Sequence, residues 1–231
     1  MMLRKIEKSD YDLILQLDSK VYPVSPENKI NSLIIDNWYN KYPEYGMIYV
    51  DEKNKSNIVA MCIIIPMEYE IWEKLIKGEC FENNINIKWD TNNNKIGVHL
   101  YHIEVLDRNI VGKEFYKTML KDLNIIAKKY NHNIIGLSGY CVTVKGNRLF
   151  KEILKCKNAD DLNQDKNKKS EFIIKEDNNL KIIELPYDTD INKINGYVSK
   201  CNMLYTKRNE NNDKKYSTYV WNFIEYINIL V

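Results

Sequence analysis

Residues 97–113 read GVHLYHIEVLDRNIVGK, and the reading of this stretch decides the fold. Residues 97–106 are the richest run of β-branched, aromatic and aliphatic residues in the chain and predict a strand. Asp107-Arg108-Asn109 is turn chemistry. From 111 to 130 the apolar residues Phe115, Met119, Leu123, Ile126 and Ala127 recur at helical spacing, which predicts a long helix. Residues 134–138 predict a further buried strand. Gly139 opens a loop, and residues 143–156 predict a helix with Leu149, Ile153 and Leu154 inside.

Working outward, residues 47–50 and 58–65 flank the polar DEKNKSN and predict an antiparallel hairpin, with Pro66 ending the second strand. The N-terminus predicts a short strand, then a helix capped by Ser9 or Asp10 with Leu13, Ile14, Leu17 and Val21 on one face, ending near Tyr22-Pro23. A second helix is expected from Pro26 to about Asn40, with Ile30, Leu33, Ile34 and Trp38 inside. Residues 68–81 predict a helix that buries Ile71, Trp72, Leu75 and Ile76, and 82–95 a polar loop. After a solvated stretch at 157–170, residues 172–175 and 180–185 predict a second hairpin. The tail 216–231 carries Tyr216, Tyr219, Trp221, Phe223 and Tyr226, which suit a core contact or a dimer contact equally well.

The chain has 231 residues, 34 Lys plus Arg and 32 Asp plus Glu, a net charge of +2. That length suffices for one elaborate domain with its own core. The charge balance excludes the strongly basic profile of a bulk nucleic-acid binder and gives no reason to expect adhesion to a membrane. There is no apolar run of about 18 residues and no apolar segment behind MMLRKIEKSD, so neither a spanning helix nor a signal peptide is expected. The five cysteines (62, 80, 141, 156, 201) form no C-x-x-C pair, so buried reduced thiols of a cytoplasmic protein are expected, without zinc or a disulfide framework. Cys141 with His132 has no nucleophile signature, and a buried thiol is the expected role. Thirty asparagines and scattered lysines carry little functional weight for so biased a composition.

The element order β-α-α-β-β-(insert)-β-α-β-α-β-β resembles that of the GCN5-related N-acetyltransferase (GNAT) superfamily over roughly the first two thirds of the chain. LRKIEKSDYDLILQLDSKVYP is similar to the first strand and helix of those enzymes. YHIEVLDRNIVGKEFYKTMLKDL is similar to their fourth strand, pyrophosphate loop and third helix, and NIIGLSGYCVTVKGNRLFKEIL to their fifth strand and fourth helix. The resemblance implies an α/β (α+β) fold with a mixed, mainly antiparallel central sheet flanked by helices. Residues 1–157 would form the acyl-coenzyme A-binding core, and 158–231 would complete the same sheet within a single domain.

The resemblance also implies chemistry. Acetyl-coenzyme A (acetyl-CoA) would be the acyl donor, with no metal, and a primary amine on a small molecule, peptide or protein the acceptor. The protein would be a monomer or homodimer, and transfer would be direct in a ternary complex. The pyrophosphate loop pattern Q/R-x-x-G-x-G/A falls on Asn109-Ile110-Val111-Gly112-Lys113-Glu114. It keeps the first glycine, has Asn109 for Gln or Arg, and has Glu114 for a small residue. Backbone N–H groups of 107–113 at a helix start suit a phosphate, Gly112 permits close approach, and Lys113 adds charge. Backbone N–H groups of Ile103, Val105 and Leu106 are the candidates to bind the thioester carbonyl.

Side-chain alternation puts His102 and Glu104 on one face of this strand and His99, Tyr101 and Ile103 on the other, with parity open to a bulge. Glu104, with His102 beside it, is the candidate base. The other reading pairs Glu104 with a lysine and makes the histidines structural. The tyrosine that family members use to protonate the thiolate aligns with Phe150, which has no proton to give, so Tyr140 or solvent would substitute. The acceptor pocket would come from 22–45, 67–97 and the segment beyond 157. The alternative is a catalytically inactive binding or interaction module on the same fold.

Overall fold

A computed structural model describes residues 1–21, 29–85, 87, 89, 93–162, 169–177, 179–186 and 188–208. Strand β1 (Met2–Lys5) leads through a turn into helices α1 (Tyr11–Val21) and α2 (Ser32–Tyr39). The hairpin β2 (Gly46–Val50) and β3 (Ile58–Glu68) follows, then α3 (Tyr69–Ile76) and β4 (Lys95–Val105). The short helix α4 (Arg108–Val111), α5 (Phe115–Lys129), β5 (Asn133–Cys141) and α6 (Val144–Arg148) come next. The C-terminal part holds β6 (Lys157–Asn158), β7 (Lys169–Glu176), β8 (Asn179–Pro186), β9 (Tyr197–Lys200) and β10 (Asn202–Lys207).

The central sheet is mixed and mainly antiparallel, in the order β1-β2-β3-β4-β5-β10-β6, and helices flank it. Among its described strands only β4 and β5 pair in parallel. The expected class is therefore the observed one. The predicted second hairpin is β7–β8, and β9 extends it to a separate three-stranded sheet. Strand β10 slots in beside β5, a placement that no periodicity in 186–207 announces.

Strand β3 lies inside the sheet between β2 and β4, and its run of Ile, Val, Met and Cys is buried along nearly its whole length, as a strand covered on both faces requires. It does not stop at Pro66, as expected, but runs on to Glu68. Pairing with β2 ends at Gly46↔Ile63, and the Ile64 carbonyl on that edge accepts instead from the Tyr39 hydroxyl, 2.8 Å away. Two residues on, the nitrogen of Pro66 faces the same unpaired edge, so its missing N–H breaks no ladder bond.

The first turn closes differently from the expected Ser9 or Asp10 cap. Glu7 is the cap residue, and buried Asp10 accepts from the Glu7 N–H at 2.8 Å and from both Arg4 guanidinium nitrogens at 2.7 Å. In α2, Asn31 caps the helix and Ile35, Trp38 and Tyr39 are buried, while Leu33 is 76% exposed, so the buried face is rotated from the expected one. Helix α5 buries Phe115, Met119, Leu123, Ile126 and Ala127 as expected. The predicted ends near Tyr22 and Pro26 and the aromatic tail at 216–231 lie outside the described residues.

Two faces of the sheet can be told apart. The Trp72 ring of α3 lies over Gly97 and Gly136, where a Cβ would stand only 2.0 and 2.4 Å from it, so α3 covers that face. Tyr49 of β2 donates to Asp122 of α5 at 2.9 Å and packs edge-on against Phe115, so α5 covers the opposite face.

Candidate functional site

Parallel pairing of β4 with β5 ends at His99↔Ser138, yet β4 continues to Val105 and β5 to Cys141. Beyond that pair β5 is laddered to β10, and β4 to β3. The two strands therefore form a fork. A bulge sits at its root: consecutive Ile63 and Ile64 of β3 pair with His102 and Leu100, so Tyr101 is the extra residue. A bulge bends its strand and shifts side-chain parity.

That shift corrects the expected alternation. His99, His102 and Glu104 pair with Ile65, Ile63 and Met61, which share one face of β3. All three thus lie on the α3 face, and Ser138 and Tyr140 of β5 join them by the same register. Leu100, Ile103 and Val105 pair with Ile64, Cys62 and Ala60 and lie on the α5 face. There the Phe150 ring packs directly on the Gly139 backbone. The fork is polar and titratable on one face and apolar on the other.

The backbone of β4 supplies donors. Leu106 N–H donates to the Val59 carbonyl at 2.9 Å, which removes Leu106 from the candidate thioester ligands. Alternation along an antiparallel strand then turns the N–H groups of Ile103 and Val105 away from β3, toward the fork.

Past Val105 the chain makes one tight helical turn, α4. Asp107 caps it, accepting from the Asn109 N–H at 2.9 Å, while Val111 and Gly112 N–H groups bond to the Asp107 and Arg108 carbonyls. Three of the amides expected to cradle a phosphate are therefore already bonded within the turn. Gly112 then carries the chain into α5 at φ +78°, with open space where a side chain would be. At the N-cap of α5, Glu114 makes no side-chain cap bond and pairs with Lys117 of the first helical turn at 2.5 Å, so a cation offsets its charge there. Ile110 and Lys113 stand on the same connection.

His102 is 7% exposed, and its Nε2 has no hydrogen-bond partner among the described residues; Glu104 Oε2 lies 3.9 Å away. Among the described residues no lysine or arginine pairs with Glu104. Burial lowers the His102 pKa to about 4. A histidine held neutral in the fold takes up a proton more readily when unfolded, so it favours unfolding as pH falls from about 6.5 to about 4. We expect the melting temperature to drop between pH 7 and pH 4.5, and to drop less in His102→Gln. Equal drops in urea or thermal melts of the two proteins would show that His102 does not titrate on unfolding.

His99, by contrast, is fully satisfied. Trp72 Nε1 donates to Ser138 Oγ (2.8 Å), Ser138 Oγ meets His99 Nδ1 (2.9 Å), and His99 Nε2 meets Glu82 Oε1 (2.6 Å). Because indole only donates and an ionised carboxylate only accepts, the chain of bonds runs from Trp72 to Glu82. His132 lies elsewhere, bonded to Tyr45 at 2.8 Å and stacked on Trp89, which gives it a structural role. Tyr140 donates its hydroxyl proton to Glu171 of β7.

One ionisable group escaped the sequence reading. Asp18 of α1 is pushed up to about 6, chiefly by burial and then by the charge of Glu82, against a hydrogen bond from Tyr101. Its signal was positional, since residue 18 falls one turn after buried Ile14, on the apolar side of α1. The five cysteines are free thiols, and no cluster among the described residues could hold a metal. No described helix is long and apolar enough to cross a membrane.

No family model matches the sequence, and no curated protein matches it. Solved structures do. The chain is similar to Arabidopsis thaliana NAA60 in complex with a bisubstrate analogue, at 11% identity over 90% of this chain and 98% of that one, with a TM-score of 0.49. It is similar to Chaetomium thermophilum Naa20 in complex with a bisubstrate analogue, at 11% identity over 96% and 99%, with a TM-score of 0.45. It is also similar to Arabidopsis thaliana Naa50 in complex with a bisubstrate analogue, at 10% identity over 89% and 97%, with a TM-score of 0.45.

Proposed function

We propose that this protein is an acyl-coenzyme A-dependent N-acyltransferase that moves acetyl from acetyl-CoA to a primary amine. The observation that carries the proposal is the fork: β4 turns the N–H groups of Ile103 and Val105 into it and then leads through the single turn of α4 to Gly112 and the start of α5. An extended pantetheine arm carries amides that suit an unpaired strand edge, and a helix start suits its pyrophosphate. With the thioester carbonyl on a β4 N–H, charge developing on that oxygen meets a donor already in place.

The acceptor enters from the α3 face. Its neutral nitrogen attacks the carbonyl carbon, the C–S bond breaks, and the proton from nitrogen passes through this face to the departing sulfur. Glu104 and the unpartnered Nε2 of His102 are the groups placed to take it first. No enzyme-bound acyl intermediate is required.

A second reading, a binding module without catalysis, is favoured by the bonded amides of Asn109, Val111 and Gly112 and by Phe150 in place of a tyrosine. Calorimetry with acetyl-CoA and free coenzyme A separates the two. Saturable micromolar binding, with amine-dependent thiol release that falls on the order of 100-fold in Glu104→Gln, supports the enzyme. No binding at millimolar acetyl-CoA sinks it.

A further inference from the structure

We infer that Glu171, in the second sheet, completes the catalytic centre by working through Tyr140, and that this pair shuttles the transferred proton from amine to sulfur. The inference rests on the acyltransferase reading above.

Tyr140 stands on β5 beyond the last β4–β5 pair, on the titratable face of the fork, and is partly exposed. Its hydroxyl donates to the Glu171 carboxylate. Glu171 is held in turn: its carbonyl accepts the Cys201 N–H at 2.9 Å, and it sits in β7 between Ser170 and Phe172, both buried. Strand β7 is gripped by β8 on one side and by β9 on the other, and β9 runs on into β10, the neighbour of β5. The smaller sheet therefore delivers one carboxylate to one phenol at the fork.

The proton balance closes. As the amine nitrogen attacks, its proton, taken first by Glu104 or His102, passes on to the Tyr140 oxygen while the Tyr140 proton passes to Glu171. As the C–S bond breaks, Tyr140 gives a proton to the thiolate and recovers one from Glu171. One proton leaves nitrogen, one reaches sulfur, and both side chains end as they began. This supplies the proton that Phe150 cannot give. Within this pair Tyr140 is a catalytic residue and Glu171 a positioning one.

The test uses the full chain, acetyl-CoA, and n-butylamine and a free-amine pentapeptide as acceptor probes. Glu171→Gln and Tyr140→Phe should each lower kcat on the order of 100-fold with unchanged acetyl-CoA affinity. The double variant should be no worse than either, as for groups acting as a unit. Glu171→Asp should restore part of the rate, and Glu171→Gln should alter the pH–rate profile. Variants that melt like wild type, bind acetyl-CoA and turn over normally would overturn the inference while sparing the acyltransferase reading. Additive losses, or a Glu171→Gln loss confined to KM, would overturn it too. If the wild type binds no acetyl-CoA, or neither probe releases thiol faster than in Gly112→Asp, both fall together.

Discussion

Gly112→Asp should abolish measurable acetyl-CoA binding, a loss of at least about 100-fold, or about 2.7 kcal/mol. Two effects act together. The backbone at Gly112 is at φ +78° and ψ 179°, a region open almost only to glycine, and a side chain there costs roughly 1–3 kcal/mol. Relaxing that strain moves the link between α4 and α5, so the helix start shifts relative to Ile103 and Val105. A carboxylate would also stand in the open space beside the helix start, where the phosphates are expected. Gly112→Ala carries the strain without the charge and should lose less. The position is at the surface and fills no core, so the melting temperature should change little beyond the strain. Calorimetric titration of all three proteins decides it. Wild-type affinity in the aspartate variant would mean that the anion does not sit at this turn.

The fold was largely legible because its signals are local. Helix α5 and the β2–β3 hairpin follow from periodicity and turn chemistry, and α5 buries the residues expected. Strand β10 was not legible, because its partner β5 lies some 65 positions earlier and pairing over that distance leaves no local trace. The site divides in the same way. Gly112 was readable as a residue in a motif, and its positive φ is a reason for glycine that the motif alone does not state. The gathering of His99, His102 and Glu104 on one face was not readable, because one inserted residue, Tyr101, sets it. The commitment of Leu106 to Val59 is equally a matter of register. Glu171 belongs to a strand with no resemblance behind it, and only tertiary placement brings it to Tyr140.

The register that builds the fork depends in turn on one ring. Trp72 is fully buried, and the strands under it carry glycine at both contact points, Gly97 of β4 and Gly136 of β5. These two residues are partners across the only parallel ladder among the described strands of the central sheet, two steps below the pair at which the strands part. The indole also holds Ser138, and through it His99, at that last pair. Trp72→Ala should therefore cost about 3–5 kcal/mol, as expected for a buried tryptophan. In a chain of this length that lowers the melting temperature on the order of 10 °C. Trp72→Phe keeps most of the ring but leaves Ser138 without its donor, and should fall between alanine and wild type. Gly97→Ala and Gly136→Ala should destabilise from the opposite direction, by roughly 1–3 kcal/mol each, because a methyl group has nowhere to go beneath the indole. Thermal and urea unfolding of the four variants gives the order. A Trp72→Ala protein within about 1 kcal/mol of wild type would show that the ring does not clamp β4 to β5, and the geometry of the fork would then need another origin.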